Sequence, residues 1–224
     1  GLVMIPEASA GCVCLYSIAS TIVMEPRAPR RQWAIHSASG SLLPVNQMYV
    51  NMGGPGDRKD ENGILWLAFP RPRPYKETSI DIALPLQTQF AEGGKFWSKN
   101  EQPGVGSDNS TVPQWLFDSG TEGLTQVTIP LRGELDTPGR YRVTTHFAIS
   151  KPSNDTAESL VTFNSSADRV EITPTRKSAA GDQQPATQCV AVTAELTVER
   201  DLTLTLGSKN PTAQLCGIEV LLIE

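Results

Sequence analysis

Along most of the chain apolar and polar residues alternate at every second position, the period of a strand whose successive side chains point to opposite faces. The plainest case is residues 140–149, RYRVTTHFAI, where Tyr141, Val143, Thr145, Phe147 and Ile149 share one face. Residues 123–131 alternate as well, and residues 63–69, 79–84, 159–163 and 169–172 predict further strands. The C-terminal part is equally regular: residues 189–198, 202–206 and 215–223 predict three strands, the first two joined by a turn at residues 199–201. No segment repeats with the 3.6-residue period of a helix. About nine short strands between Tyr49 and Glu224, half-buried and punctuated by turns, predict an all-β protein built as a two-sheet sandwich.

The front of the chain reads differently. In residues 15–24, Ile18, Ser20, Ile22 and Met24 fall on one face and Ala19, Thr21 and Val23 on the other, which predicts a strand buried on both sides. Residues 25–33, EPRAPRRQW, carry Pro26 and Pro29 among arginines and read as a linker. Further along, Gly53-Gly54-Pro55-Gly56 is a turn, and PRPRP at residues 70–74 is an extended piece that a sheet interior excludes. Residues 91–112 contain EGGKFWSKN and PGVGSDNST and read as a long polar loop, as do residues 173–187. The 18 glycines and 17 prolines fit a protein of many turns.

Charge narrows the function. The 224 residues carry 19 basic and 24 acidic side chains, a formal charge of -5, so the total field draws the chain neither to nucleic acid nor to an anionic membrane. No apolar run approaches the roughly 20 residues of a membrane span. The two histidines are His36, in the linker, and His146, in a strand; neither sits in a pattern of nucleophile, base and orienting carboxylate. GGPGDRK lacks the strand-to-helix setting that turns a glycine loop into a phosphate cradle. No catalytic residue and no cofactor are expected in this chain, and it reads as no enzyme.

Three other constellations remain. Asp57, Asp60 and Glu61, with Asn62 and Gly63, form an oxygen-rich turn of the kind calcium favours; with Arg58 and Lys59 between the acids, the same turn reads as charge-balanced and exposed, Asp57 capping it. Cys189 and Cys216 open two C-terminal strands and are a candidate disulfide if those strands pair, while the apolar setting QLCGIEV suits a buried thiol equally. Cys12 and Cys14 point the same way along a strand, so a bond between them is strained.

Residues 51–72, NMGGPGDRKDENGILWLAFPRP, resemble the opening of malectin-like domains, especially those appended to large secreted bacterial proteins with a quinoprotein-type (PQQ-binding-like) β-propeller. Three more pieces fit in order: PQWLFDSGTEGLTQVTIPL, GRYRVTTHFAI and LTLTLGSKNPTAQLCGIEVLLIE. Residues 158–172, ESLVTFNSSADRVEI, depart from the family's glycine-glutamine-arginine and phenylalanine-aspartate-valine pattern, and no role is carried over to them. Residues 1–26, GLVMIPEASAGCVCLYSIASTIVMEP, resemble the last strands of the propeller in the same proteins. The resemblance implies terminal propeller strands over residues 1–26, a linker over 27–45 and a malectin-like jelly-roll sandwich over 46–224. It implies the C-terminal piece of an exported protein, secreted, periplasmic or on the cell surface. Its partners would be the rest of the propeller or another subunit, which would also hold the partners of Cys12 and Cys14.

A function follows from the same resemblance and from the aromatics. Sugars stack their C–H faces on aromatic rings while neighbouring amides and carboxylates take the hydroxyls. Phe96 and Trp97 in GGKFWSKN and Trp115 and Phe117 in VPQWLFD are therefore the candidate carbohydrate contacts, their alternative role being a lid packed on the end of the sandwich. Trp66, between Leu65 and Leu67, is predicted to lie in the core. The expected function is a non-catalytic module that binds glycan or packs on its own propeller or a neighbouring subunit. A purely structural assembly module is the alternative, and a subunit of a quinoprotein-type oxidoreductase the second.

Overall fold

The computed structural model describes residues 21–24, 33–36, 43–71, 84–99, 112–150, 160–174, 187–207 and 213–224. Cys12 and Cys14, the PRPRP piece beyond Arg71, residues 79–83 of the strand predicted at 79–84 and most of the two polar loops lie outside the described residues. Strand β1 (Thr21–Met24) pairs antiparallel with β2 (Trp33–His36), so a strand occupies part of the stretch that the prolines marked as linker.

The remaining strands build two sheets. In chain order they are β3 (Gln47–Met52), β4 (Arg58–Lys59), β5 (Leu65–Phe69), β6 (Gln87–Ser98), β7 (Ser119–Pro130), β8 (Gly139–Ser150), β9 (Leu160–Asn164), β10 (Arg169–Ile172), β11 (Thr187–Val198), β12 (Asp201–Gly207) and β13 (Ala213–Leu222). One sheet has the order β10-β9-β12-β7-β6 and the other β11-β8-β13-β3-β5-β4. All the pairings are antiparallel except β3 with β5. The all-β two-sheet sandwich is therefore the fold. The turn at Glu199 and Arg200 carries the chain from β11 in one sheet to β12 in the other, and the Arg200 carbonyl accepts the amides of Leu131 and Arg132 at 2.8 and 3.0 Å.

The inner faces meet in one apolar core. Val143, Phe147 and Ile149 of β8, with Val192, Ala194, Leu196 and Val198 of β11, face Val127 and Ile129 of β7, Leu202 and Leu204 of β12, and Val161 and Phe163 of β9. Alternation places the intervening Ala191, Thr193 and Glu195 of β11 in solvent. Outside, Arg142 donates to Glu195 at 2.8 Å and the Thr144 and Thr193 hydroxyls lie 2.9 Å apart, cross-strand pairs that tie β8 to the edge strand β11.

One reading is corrected. Residues 91–98 continue strand β6 rather than opening a loop. Phe90 faces Leu124 and Lys95 faces Glu122, so four residues of β6 are spread against Gly123 alone, and Gly93 and Gly123 both adopt positive φ, 78° and 68°. A glycine pair that signals a turn in sequence is here a bulge within a continuous strand.

Tyr141 fastens the loops at the closed end of this core. It is fully buried, and its hydroxyl donates to the Val45 carbonyl at 2.9 Å, with the Leu131 carbonyl 3.4 Å away. Replacing Tyr141 by Phe removes the donor to the Val45 carbonyl, while the Leu131 carbonyl keeps the Val45 amide at 2.8 Å. The expected cost is about 1–2 kcal/mol, read as a lower urea midpoint at an unchanged slope.

Candidate functional site

Along the second half of β8 the outward positions also become buried. His146 and Ala148, which point away from the main core, are 2% and 3% exposed, because a 3-10 helix, Gln114–Asp118, lies over them. Leu116 and Phe117 of that helix join Trp66, Ala148 and Cys216 in a second apolar cluster. Gly217 makes the close approach possible: a Cβ there would stand 2.7 Å from Leu116 Cδ2. Trp66 is core, as predicted, and its indole N–H points to Asp60 Oδ2 at 3.4 Å.

The acidic turn serves this cluster. Asp60 Oδ1 accepts the amides of Asn62 and Ile64 at 2.9 and 2.8 Å. Asp57 accepts the Ala68 amide at 2.8 Å and a two-pronged contact from the Arg71 guanidinium. Glu61 is exposed, and among the described residues no three His, Cys, Asp or Glu side chains gather as a metal-holding group. The Arg58 guanidinium stacks 4.6 Å from the Trp115 ring centroid.

His146 is held inside the cluster. Its Nε2 lies 2.6 Å from Glu219 Oε1, and its ring stands edge-on to Trp66 and Phe117 at 6.0 and 6.4 Å. Its Nδ1 is buried and meets no partner among the described residues.

Where the helix, the ends of β6 and β8 and the starts of β7, β11 and β13 come together, a cleft of about 270 Å³ opens. Trp97, Phe117 and Ala148 form its apolar wall, and Lys99, Glu122, Thr187 and Gln214 bring polar groups to it. Two of the four predicted aromatics, Trp97 and Phe117, thus converge. The other two do not. Phe96 is the strand neighbour of Trp97 and points to the opposite face, where it packs edge-on against Phe69 and Phe90 at 5.8 and 5.0 Å. Trp115 stands edge-on to Trp66 at 6.2 Å, beneath Arg58.

The wall is held from behind. A Cβ on Gly120 would come within 3.1 Å of Trp97 Cζ2, and a Cβ on Gly53, at φ 71°, within 2.5 Å of the Trp97 carbonyl. Lys99 is anchored through its amide, which donates to the Asp118 carbonyl at 2.7 Å, and its ammonium lies 5.7 Å from the Trp97 ring centroid. On the opposite side Glu122 is paired with Lys95 at 3.8 Å. Burial pushes the Asp118 carboxyl above its ordinary range, against the pull of Lys99 and Arg58, and its Oδ1 has no partner among the described residues. Sequence reading missed Lys99, Glu122, Thr187 and Gln214. Lys99 was within reach: in KFWSK, period two puts Lys95, Trp97 and Lys99 on one face.

The candidate disulfide is corrected. Cys189 and Cys216 are free thiols. Their strands do not pair, because β8 lies between β11 and β13. Two strand spacings, about 9–10 Å, exceed the Cα separation of about 4.4–6.8 Å that a disulfide tolerates.

No protein-family profile matches the chain, and no curated protein matches it. Among solved structures, the chain is similar to beta-glucuronidase 2 of Bacteroides uniformis, with 15% identity, 81% of this chain and 18% of that one covered, and a TM-score of 0.48. It is also similar to the ANX2 ectodomain from Arabidopsis thaliana, with 16% identity, 80% and 42% covered, and a TM-score of 0.43. A Bacillus thuringiensis Cry1Da tryptic core variant follows at 14% identity, 62% and 23% covered, and a TM-score of 0.36. The chain spans less than half the length of each. Among the described residues no helix is long and apolar enough to cross a membrane.

The thiols give a test of these surroundings. Burial pushes Cys189 up to about 11 from the ordinary 9.0 and raises Cys216 further. Thiolate therefore forms only as pH climbs well past the usual range, and at pH 8 Cys189 should alkylate on the order of 100-fold more slowly than an unperturbed thiol. Iodoacetamide labelling read peptide by peptide should show this, with Cys216 labelled only after unfolding.

Proposed function

We propose that this sandwich is a non-catalytic, malectin-like module that binds carbohydrate in the cleft beside Trp97. The observation that carries the reading is the pairing, in one cleft of about 270 Å³, of an aromatic wall with a hydroxyl, an amide, a carboxylate and an ammonium. A sugar presents the matching surfaces: an apolar C–H face for the ring of Trp97 and hydroxyls for Thr187, Gln214 and Glu122. The mounting supports it too, since Trp97, Glu122, Thr187 and Gln214 all stand on strands, so little ordering entropy is lost on binding. The absence of catalysis is part of the proposal. Its support is His146, whose Nε2 is occupied by Glu219 and whose ring is walled in by Trp66 and Phe117. The setting in an exported propeller protein rests on the resemblance of residues 1–26 and 51–72 alone.

A glycan array followed by calorimetric titration of the best hit tests the reading. Trp97→Ala should weaken binding by about tenfold or more, the loss of one stacking contact of about 1.4 kcal/mol. Trp115→Ala, outside the cleft, should leave affinity unchanged. Absence of binding to every saccharide tried, with the fold intact by far-UV circular dichroism, would overturn it.

A further inference from the structure

The charges at the cleft are unequal, and this sharpens the class of ligand. Among the described residues, four charge-bearing side chains stand at or beside it: Lys95, Lys99, Glu122 and Asp118. Lys95 and Glu122 answer one another across the β6–β7 pair, directly opposite in register and 3.8 Å apart. Lys99 is different. Among the described residues no carboxylate pairs with its ammonium, which stands over the Trp97 ring instead. Asp118 is the acid whose field reaches it, yet the two form no ion pair at contact distance, and desolvation works against the charge of that carboxyl. Among the described residues the cleft therefore keeps one positive charge without a close counter-ion. That charge stands 5.7 Å from the centroid of the ring on which a sugar would stack.

We propose that the saccharide held in this cleft carries an anionic substituent, seated on Lys99 while the sugar ring lies against Trp97. The inference rests on the carbohydrate-binding reading of the same cleft. A lysine ammonium is a compact point charge on a flexible stem, so it selects for negative charge and not for a planar or tetrahedral group. A uronic acid and a sulfated sugar therefore share the required chemistry. The neutral groups Thr187 and Gln214 remain for hydroxyls, and the bound Lys95–Glu122 pair adds no net charge.

The test is calorimetric titration of the full chain with oligosaccharides matched in length: neutral hexose oligomers, uronic-acid oligomers and sulfated oligomers. At low ionic strength at least one acidic series should bind about tenfold or more tightly than the neutral one, a margin of about 1.4 kcal/mol. Added salt should narrow the margin, because the charge is exposed. Lys99→Met should bring the acidic ligands down to the neutral level, while Lys99→Arg should restore the preference. Which acidic series wins names the substituent, and either outcome supports the proposal. Neutral ligands binding as tightly as acidic ones, with Lys99→Met indistinguishable from the parent, would overturn it and leave the carbohydrate reading standing. Binding by none of the three series would remove both.

Discussion

A strand that is buried on one face needs one covering layer, and β8 from Thr145 onward needs two. On the inner side Thr145, Phe147 and Ile149 pack toward the opposite sheet; on the outer side His146 and Ala148 are almost as inaccessible. The outer side of a sandwich sheet ordinarily faces water, so something must be laid over it. Here that is the 3-10 helix, seated by Leu116 in the space that Gly217 leaves free. The cover brings costs that are met nearby in part, His146 Nδ1 being left without a partner among the described residues. A buried indole N–H is directed at Asp60, and a buried imidazole is set against Glu219.

The same cover creates the cleft. A short helix that follows the outer sheet and then becomes β7 at Ser119 must turn back toward the opposite sheet, and it leaves its last residue, Asp118, beside the end of β6. The Lys99 amide meets the Asp118 carbonyl there, which holds the lysine next to the cleft. The Trp97 ring is backed by Gly120, where a Cβ would come within 3.1 Å of Cζ2, and its backbone by Gly53. The indole is thus presented by packing. In the proposed binding role such preorganisation would lower the entropic cost of seating a ligand.

What was legible in the sequence follows from how local each signal is. Period-two alternation is a property of a few consecutive residues, so β8, β11, β12 and β13 could be placed within two or three positions. The extent of β6 was not legible. Its bulge needs Gly123 on the partner strand as much as Gly93 on its own, and a single segment cannot reveal a property of a pair. Nor was the second burial of β8. His146 and Ala148 look like outward positions in RYRVTTHFAI, and only a segment some thirty residues upstream decides that they are covered.

The candidate site divides along the same line. Residue type was informative: aromatic residues near the end of the sandwich do meet polar groups in a cleft. Convergence was not, because it is set by strand order. Phe96 and Trp97 are neighbours in the chain, yet the pleat sends them to opposite faces, one into the core and one to the cleft. Cys189 and Cys216 sit near the starts of two C-terminal strands, yet β8 runs between them and the bond cannot form. Thr187 and Gln214 stand apart in the same way, on strands separated by β8, but they can share a ligand where two thiols cannot share a bond, since a ligand spans about 10 Å that a disulfide does not. The intervening strand that forbids the covalent link therefore sets the width of the cleft, with Ala148, the small residue of β8 opposite Gln214, as part of its wall.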